Sequence, residues 1–277
     1  MRHIVITGAG GFLGRHLAAM ANSSGVQTVT LIGSPRAPQG VDLAGNHAIR
    51  ALQQKFPIPD PEETAVIHAA AFVQWDSADA VIQNSMMAFN VASWIAQLKI
   101  PFAVLVSGVN AGIEDPPQTM YGVGKLAAEH IWRVLLRDRH ATVRLAGIWG
   151  WQRNPSLFWN RVLTAAARNE NQPLHVCKKY SRRNYIHAQD ASRLLLALAE
   201  NRGLGSFIAA GRDALSTQEF VEAVQRLPGA RLTVNYSEDH CGEDQIYPCS
   251  PELLPYIRPF PEALAETWRS KPEWTTQ

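Results

Sequence analysis

The chain has 277 residues, of which 46% are hydrophobic and 18% are charged. Such a chain can form one large domain, or a domain with a smaller lobe, and its apolar content favours a folded core over disorder. The formal net charge of +2 is too small to indicate a nucleic acid or an anionic membrane as a partner. No stretch approaches the roughly 20 consecutive apolar residues that a membrane-spanning helix needs.

The cysteines and histidines indicate neither a disulfide framework nor a metal site. Cys177, Cys241 and Cys249 are odd in number and form no close Cys-x-x-Cys pair, which is typical of a reduced, cytoplasmic protein. His68 and His187 lie near predicted strand ends without partners at metal-ligand spacing. Both histidines are therefore interpreted as structural, and no metal is predicted.

Short apolar, β-branched runs alternate with longer helical patterns through the first half of the chain. The predicted strands are 3–7, 27–32, 65–69, 102–107 and 142–148. The predicted helices are 12–22, 46–55, 80–98 and 121–138. This alternation is typical of an α/β fold, a Rossmann-type doubly wound parallel sheet. The broken segment 33–45 leaves space only for a strand remnant around 40–43.

The periodic pattern loosens after about residue 150. Helices are predicted near 156–169 and 190–200, with a mixed stretch between them, and two more helical patterns fall within 216–277. We therefore predict a first domain over 1–150 and a smaller C-terminal lobe over 151–277, interleaved with the first domain.

Four aromatic residues crowd the segment between the two predicted parts: Trp149, Trp151, Phe158 and Trp159. Such a cluster could stack on a sugar or a base, but aromatic clusters belong more often to a core. We interpret it as the hydrophobic seam between the two lobes.

A glycine-rich turn, TGAGGFLG at 7–14, follows the first predicted strand and opens the first helix. Glycine allows a sharp turn and a close approach to a pyrophosphate, and a helix amino end offers free N–H groups to phosphates. In this position the motif predicts an NAD(P)-binding domain. The candidate cofactor-binding residues of the turn are Gly8, Gly10, Gly11, Phe12, Leu13 and Gly14.

The end of the second strand bears on the choice between NAD(H) and NADP(H). An acidic residue there would bind the adenosine ribose hydroxyls, whereas arginine suits a 2′-phosphate. This chain has Gly33 at that position, followed by Ser34 and Arg36. We therefore predict a preference for NADP(H), with NAD(H) also possible, although Arg36 could also be a solvated loop residue.

Several further motifs follow in order along the chain. They are Asp42-Leu43, HAAA at 68–71, Asn90, Ser107 at a strand end, YGVGK at 121–125, RLAGIWG at 144–150 and RNYIHAQD at 183–190. With the glycine-rich turn, this series resembles the short-chain dehydrogenase/reductase family. The resemblance is to its extended branch, the NAD(P)-dependent epimerases and dehydratases that modify nucleotide sugars.

The resemblance implies a catalytic set of Ser107, Tyr121, Lys125 and Asn90. Ser107 would hydrogen-bond the reacting oxygen, and Tyr121 would exchange a proton with it. Lys125 would hold the nicotinamide ribose, and Lys125 and the oxidised nicotinamide ring, both cationic, would lower the pKa of Tyr121. Asn90 would support a water-mediated proton path. Taken singly, each of these residues also has an ordinary structural explanation.

The resemblance also implies further cofactor contacts. Asp42 and Leu43 would line the adenine, and the backbone of Ala69 and Ala70 would pass beside the cofactor. Ile148, the last residue of the predicted strand 142–148, is included with these contacts, as are Tyr121 and Lys125. Small residues such as the two alanines would also serve close helix–sheet packing.

The substrate side is predicted from the residues after the serine and from a basic pair. The candidates are Ser107, Val109, Asn110, Arg182 and Arg183. A guanidinium suits a diphosphate, because it offers several donors in a fixed fork. The Asp-Glu pair that follows the catalytic hydroxyl in the dehydratases is absent here, which disfavours elimination.

Two departures bear on the substrate class. Many relatives have Gly-Asp-Gly where this chain has residues 178–180, Lys-Lys-Tyr, and only 13 residues separate Ser107 from Tyr121. The leading prediction is an NAD(P)-dependent epimerase or ketoreductase acting on a nucleotide sugar or a related polyol. The alternatives are an NADPH-dependent reductase of a non-nucleotide carbonyl compound and a non-catalytic NADP-binding sensor.

Helices 80–98 and 121–138 are amphipathic, and in relatives the corresponding helices pair across a two-fold axis, which predicts a homodimer. Gly122 and Gly124 separate the tyrosine from the lysine in the second of these helices. Both glycines are predicted to leave room for a cofactor or a neighbouring strand.

Overall fold

The computed structural model of the chain describes residues 1–37, 40–152, 157–168, 170, 172–179, 182–240 and 243–273, and at 177–179 and 238–240 it describes the backbone only. Among these residues, no helix has both the length and the apolar character needed to cross a membrane.

Strands and helices alternate along most of this chain. The strands are β1 (His3–Thr7), β2 (Thr28–Ile32), β3 (Thr64–His68), β4 (Phe102–Gly108), β5 (His140–Leu145), β6 (Ile148–Trp149), β7 (Leu174–Lys179), β8 (Ile186–His187), β9 (Gly205–Ala209) and β10 (Val234–His240). The helices are α1 (Phe12–Ser23), α2 (Ala48–Lys55), α3 (Ala78–Gln97), α4 (Met120–Leu136), α5 (Phe158–Arg168), α6 (Ala188–Asn201), α7 (Thr217–Gln225) and α8 (Phe260–Arg269). Short 3₁₀ turns cover Val109–Ala111 and Pro251–Tyr256.

The central sheet has six parallel strands in the order β2-β1-β3-β4-β5-β9. This arrangement confirms the predicted α/β fold with a doubly wound parallel sheet. Every residue of β1, β3 and β4 is buried, as expected for strands covered by helices on both faces. The strand order reverses at β1 and β3, and in sheets of this kind the crevice beside the carboxyl ends of such strands binds ligands.

The chain divides into two compact units, and it enters each of them twice. The first comprises Met1–Leu145 and Ala191–Ala209, and the second comprises Ala146–Asp190 and Ala210–Gln277. Residues Ala191–Ala209 of the predicted second lobe thus lie in the first unit, because β9 pairs with β5 as the sixth strand of the sheet.

The second unit has its own core and two small sheets, in which β10 pairs with β7 and β6 pairs with β8. Trp149 and Trp159 are buried in this core together with Phe220 and Trp268. The aromatic cluster is therefore part of the second unit's own interior, as the core interpretation of the cluster requires. The prediction that the cluster forms a seam between two lobes stays a prediction.

The predicted strand remnant at 40–43 does not form. The amide of Gly40 donates to the carbonyl of Ala37, and the amide of Val41 donates to the carbonyl of Gly33. A Cβ atom on Gly40 would lie 1.7 Å from the carbonyl oxygen of Ser34, so this segment is a tight turn that glycine alone fits.

Candidate active site

The glycine-rich turn joins the ends of β1, β2 and β3. The amide of Gly8 donates to the carbonyl of Ile32 at 2.9 Å, and Gly8 has a φ of +72°, which favours glycine. A Cβ atom on Gly8 would lie 2.6 Å from the amide nitrogen of Ala70. The structure thus brings the predicted residues Gly8, Ala69 and Ala70 together.

The amino end of α1 fits a diphosphate. Its N-cap residue, Gly11, makes no side-chain capping bond, and the first turn of the helix has no acidic residue. No atom lies within 4 Å of the position that a Cβ on Gly10 would take. The first amides of the helix, those of Phe12, Leu13 and Gly14, therefore meet neither a capping side chain nor a negative charge, as an anion site requires.

The residues after β2 lie on the surface. Ser34 and Arg36 are both exposed in the turn that leads to Gly40. An exposed guanidinium at the end of the second strand is available to an anionic group. The prediction that it binds a 2′-phosphate stays a prediction.

Asn90 forms hydrogen bonds with the loop that contains Asp42 and Leu43. Its side-chain amide is buried and donates to the carbonyl of Leu43 at 2.9 Å and to that of Gly45 at 3.2 Å. The side chain of Leu43 is 5% exposed and belongs to the hydrophobic core. These bonds give Asn90 a role in fixing the predicted adenine loop, and the water-mediated proton path stays a prediction.

His68 is a buried structural histidine, as interpreted from the sequence. One of its ring nitrogens lies 2.7 Å from the hydroxyl oxygen of Thr7, and its ring stacks on Trp132 at a centroid distance of 5.7 Å. Burial, and secondarily the nearby charge of Lys125, lowers the pKa of His68 to about 3. His68 therefore remains neutral beside the lysine.

Tyr121 and Lys125 lie one turn apart at the beginning of α4. The side chain of Thr119 caps this helix by accepting from the amide of Gly122. Lys125 is 4% exposed, and its Nζ donates to the carbonyl of Val106 at 2.6 Å. Because Val106 precedes Ser107 in β4, this bond fixes the lysine next to the strand end that carries the serine.

Burial opposes ionisation of both side chains. It raises the pKa of Tyr121 to about 12 and lowers the pKa of Lys125 to about 8, the latter against the charge of Glu129. In the chain by itself, loss of hydration sets the direction of the tyrosine shift, and the lowering expected from Lys125 together with the oxidised nicotinamide ring stays a prediction. Tyr121 is held as a neutral phenol, with its ring edge-to-face against Trp75 at 5.3 Å.

Gly122 and Gly124 are packed against the backbone of neighbouring elements. A Cβ atom would lie 2.1 Å from the carbonyl oxygen of Asn110 at Gly122, and 2.6 Å from that of Ala80 at Gly124. The neighbours are a 3₁₀ turn and helix α3, where the sequence predicted a cofactor or a strand. Both glycines therefore allow α4 to approach the turn after Ser107 and the helix beside it.

Two charged residues next to Ser107, Glu129 and Arg144, were not predicted from the sequence. The serine hydroxyl donates to Oε1 of Glu129 at 2.6 Å, and Arg144 donates to both carboxylate oxygens, at 2.9 and 2.6 Å. Glu129 lies one turn after Lys125 on the same face of α4. A charged residue on the buried face of an apolar helix was the signal that could have identified it.

The substrate candidates next to Ser107 adopt ordered backbone. Val109 is 7% exposed and begins the 3₁₀ turn Val109–Ala111, which contains Asn110. The structure thus keeps Ser107, Val109 and Asn110 together at the end of β4, close to the start of α4 through Gly122.

The remaining candidates lie in the second unit. Arg182 forms an ion pair with Glu219 at 3.6 Å and donates to the carbonyl of Ala214 at 2.8 Å. Arg183 exchanges two backbone hydrogen bonds with Leu215. Ile148 pairs with Ile186 in the small β6–β8 sheet.

Some predicted residues fall outside the described ones. They include Tyr180 and Cys241, and the side chains of Cys177, Lys178 and Lys179. The described residues contain no group of three or more His, Cys, Asp or Glu side chains that could hold a metal ion.

Three solved structures with a similar fold are each distant from this chain in sequence. UDP-N-acetylglucosamine 4-epimerase from Bacillus cereus is 21% identical, with a TM-score of 0.79 and coverage of 97% of this chain and 99% of that chain. dTDP-4-dehydrorhamnose reductase from Bacillus anthracis, in complex with NADP, is 17% identical, with a TM-score of 0.79 and 98% coverage of both chains. MoeE5, in complex with UDP-glucose and NAD, is 21% identical, with a TM-score of 0.75 and coverage of 96% and 97%.

The family follows from a sequence comparison. No curated protein matches the chain. A sequence model of the NAD dependent epimerase/dehydratase family matches residues 4–208, which include the glycine-rich turn, Ser107 and the whole of α4. Since this match covers well over half of the chain, the protein belongs to the NAD dependent epimerase/dehydratase family.

Proposed function

We propose that the protein transfers a hydride between NADP(H) and a hydroxyl or ketone carbon of a nucleotide sugar, as an epimerase or a ketoreductase. One observation carries this proposal: buried Lys125 is fixed to the carbonyl beside Ser107 and lies one helical turn from Tyr121. The bound nicotinamide would supply or accept the hydride. The chain's own residues would bind it, orient the reacting oxygen and move one proton.

Tyr121 is the proposed proton donor. Because burial raises its pKa to about 12, the phenol keeps its proton at neutral pH and can release it to an oxygen that becomes negative as the carbonyl is reduced. Lys125, as a cation, would stabilise the phenolate left behind. This arrangement supports the reductive direction in the resting chain.

Replacement of Tyr121 by phenylalanine tests the catalytic proposal. Tyr121→Phe should lower turnover by at least 100-fold, because general acid–base catalysis contributes about 10²–10⁴-fold. The substrates to assay are UDP-glucose and UDP-N-acetylglucosamine with NADP⁺, and their 4-keto forms with NADPH. NADPH affinity, read from its fluorescence, should stay unchanged. Unchanged turnover with intact NADPH binding would contradict the proposal.

The cofactor preference is proposed to depend on Arg36. This exposed guanidinium follows β2 without an acidic residue before it, so it would pair with the 2′-phosphate of NADP(H). Arg36→Ala should weaken NADPH binding about 10-fold and leave NADH binding unchanged. Arg226→Ala, at another exposed arginine, is the matched control. Equal affinity of the wild-type protein for NADH and NADPH would refute the preference.

A reductase of a non-nucleotide carbonyl compound is the second candidate. Arg182, a predicted ligand for the sugar diphosphate, is held by Glu219 and by the carbonyl of Ala214. Trp75, which contacts Tyr121, is 50% exposed, so an apolar surface borders the proton donor. Turnover of simple aromatic or aliphatic ketones with NADPH, without turnover of any 4-keto nucleotide sugar, would favour this candidate.

We also propose a homodimer through the outer faces of α3 and α4. Both faces carry exposed apolar side chains, Ile82 (58%) and Phe89 (45%) on α3 and Val134 (73%) on α4. Such side chains on adjacent helices are typical of an interface. Light scattering should give twice the chain mass, and Val134→Glu should reduce it to one chain mass, whereas Leu204→Glu at another exposed apolar residue should not. A monomeric mass for the wild-type protein would reject the dimer.

We propose a cytoplasmic location from the cysteine pattern alone. The side chain of Cys249 is a free thiol, in keeping with a reducing compartment. Cell fractionation that finds the protein with cytoplasmic markers would support this location, and recovery from an oxidising compartment would oppose it.

A further inference from the structure

A buried ion pair lies directly behind the strand end that carries Ser107. Glu129 and Arg144 have side-chain exposures of 6% and 22%, and the guanidinium binds the two carboxylate oxygens in a fork, at 2.9 Å from Nε and 2.6 Å from Nη2. Arg144 also donates to the carbonyl of Gly112. A carboxylate held in this way has a fixed position and a fixed orientation.

The sheet register brings Ser107 to this pair. Ser107 of β4 and Arg144 of β5 are partners in adjacent parallel strands, so their side chains leave the sheet on the same face. Glu129 reaches the same place from α4. The serine hydroxyl donates to its Oε1 at 2.6 Å, in a buried hydrogen bond.

This bond determines which way the serine proton points. A serine hydroxyl has one donor and two acceptor lone pairs, whereas an ionised carboxylate can only accept. The proton of Ser107 is therefore directed to Glu129, and the lone pairs remain for another partner. The oxygen can then accept from a substrate hydroxyl or from the phenol of Tyr121.

We propose that Glu129, held by Arg144, is a positioning residue that orients the hydroxyl of Ser107 as a hydrogen-bond acceptor toward the reacting group. This inference rests on the proposed function, in which Ser107 contacts the reacting oxygen. In this orientation, the hydroxyl of an alcohol substrate can donate directly to the oxygen of Ser107. A carbonyl substrate can accept from Ser107 only after the serine proton has turned away from Glu129.

A double-mutant cycle separates positioning from general support of the fold. The proteins are the wild type, Ser107→Ala, Glu129→Gln and the double variant, assayed for kcat and KM with UDP-glucose and NADP⁺ and for the free energy of unfolding in urea. Glutamine keeps the size of the side chain, but its NH₂ group would take the place of one carboxylate oxygen and cannot accept from Arg144. The two-bond contact of the guanidinium with the side chain is therefore lost.

The expected result is a coupled effect on kcat. Glu129→Gln should lower kcat about 10-fold with KM changed by less than 3-fold, and it should lower kcat by less than 2-fold when Ser107 is already alanine. The control is Glu222→Gln, which removes an exposed carboxylate bound by Gln218 and Arg226. Its effect should be the same with and without Ser107. Equal losses of kcat from Glu129→Gln in both backgrounds would overturn the proposal.

A second variant and a second measurement cover a protein that does not fold and a protein that shows no turnover. If Glu129→Gln does not fold, Arg144→Lys, which keeps the charge but not the fork, replaces it in the same cycle. If the wild-type protein turns over neither UDP-glucose nor another nucleotide sugar, the proposed function fails. The double-mutant cycle in the free energy of unfolding then tests by itself whether Glu129 orients Ser107. Coupling between positions 107 and 129 in unfolding free energy supports the oriented hydroxyl, and additive losses reject it.

Discussion

At the scale of single residues, the site buries the side chain of a lysine, which is 4% exposed. Within the part of the chain that the structure describes, Lys125 donates to the carbonyl of Val106 alone, and its titratable neighbours are Glu129 and the neutral His68. Burial of a cation without full compensation destabilises the folded state. Such a loss of stability is typical of residues kept for function, in keeping with the proposed role of Lys125.

This cost leads to a prediction about pH. The pKa of Lys125 falls from 10.5 to about 8 on folding, so the unfolded chain binds this proton more tightly between those values. The destabilisation is complete below pH 8 and disappears as the pH rises above 10. Lys125→Met should therefore stabilise the protein by on the order of 1–3 kcal/mol at pH 7 and by much less at pH 10.

Thermal or urea unfolding at the two pH values measures this difference. Lys55 is the matched control, because it is exposed and also donates to a backbone carbonyl, that of Gly40, at 3.0 Å. Lys55→Met should have the same small effect at both pH values. Equal stability changes for Lys125→Met at pH 7 and pH 10 would show that burial of the charged lysine does not destabilise the folded protein.

The sequence indicates some of these residues and conceals others for a physical reason. Tyr121 and Lys125 stand in one short motif, and Ser107 ends a strong apolar run, so local pattern is enough to predict them. Glu129 and Arg144 come together only because β5 pairs with β4 and α4 packs over both. The buried face of α4 could have indicated Glu129 by itself. A contact between side chains of three elements leaves no local pattern, so the pairing of Glu129 with Arg144 and Ser107 could not be predicted without the sheet register.

At the scale of elements, the approach of α4 to its neighbours depends on two glycines. Any side chain at Gly122 or Gly124 would meet a backbone carbonyl oxygen, at 2.1 and 2.6 Å respectively. Backbone cannot turn aside as a flexible side chain can. Gly122→Ala and Gly124→Ala should each destabilise the protein by about 1–3 kcal/mol, although alanine is the better helix former.

Gly10→Ala is the matched control for these two substitutions. No atom lies within 4 Å of its built Cβ position, so its effect on the free energy of unfolding should stay within about 0.5 kcal/mol. The same methyl group would instead face a bound diphosphate, so NADPH affinity should fall. A stability loss at Gly10 as large as that at Gly122 would contradict this account of the packing.

The elements that were predicted correctly are those with strong local periodicity. The four helices α1 to α4 and the strands β1 to β5 were all predicted within a few residues of their observed ends. The strands β7, β8, β9 and β10 were missed, because β8 is very short and the others combine polar residues with few β-branched ones. Their pairing partners are distant in sequence, so tertiary contacts decide their conformation.

At the scale of the whole molecule, the chain leaves the first unit after β5 and returns to it with α6 and β9. β9 pairs with β5 from Ala141 to Leu145, and Ala141, Val143 and Leu145 are at most 5% exposed. Without β9, this apolar strand would become the edge of the sheet. β9 itself begins with two exposed residues, Gly205 and Ser206. As the edge strand, it is therefore less prone than β5 to pair with another chain.

A truncated chain tests this dependence. Residues 1–150 contain the glycine-rich turn, Ser107 and the whole of α4, but they end before β9. This fragment should aggregate on expression, because an unpaired hydrophobic strand recruits other chains. Joining residues 1–145 to 188–209 through a flexible linker of about 20 residues restores the sixth strand. That joined chain should be monomeric or dimeric, unfold cooperatively and bind NADPH, whereas a 1–150 fragment with the same properties would show that β9 is dispensable.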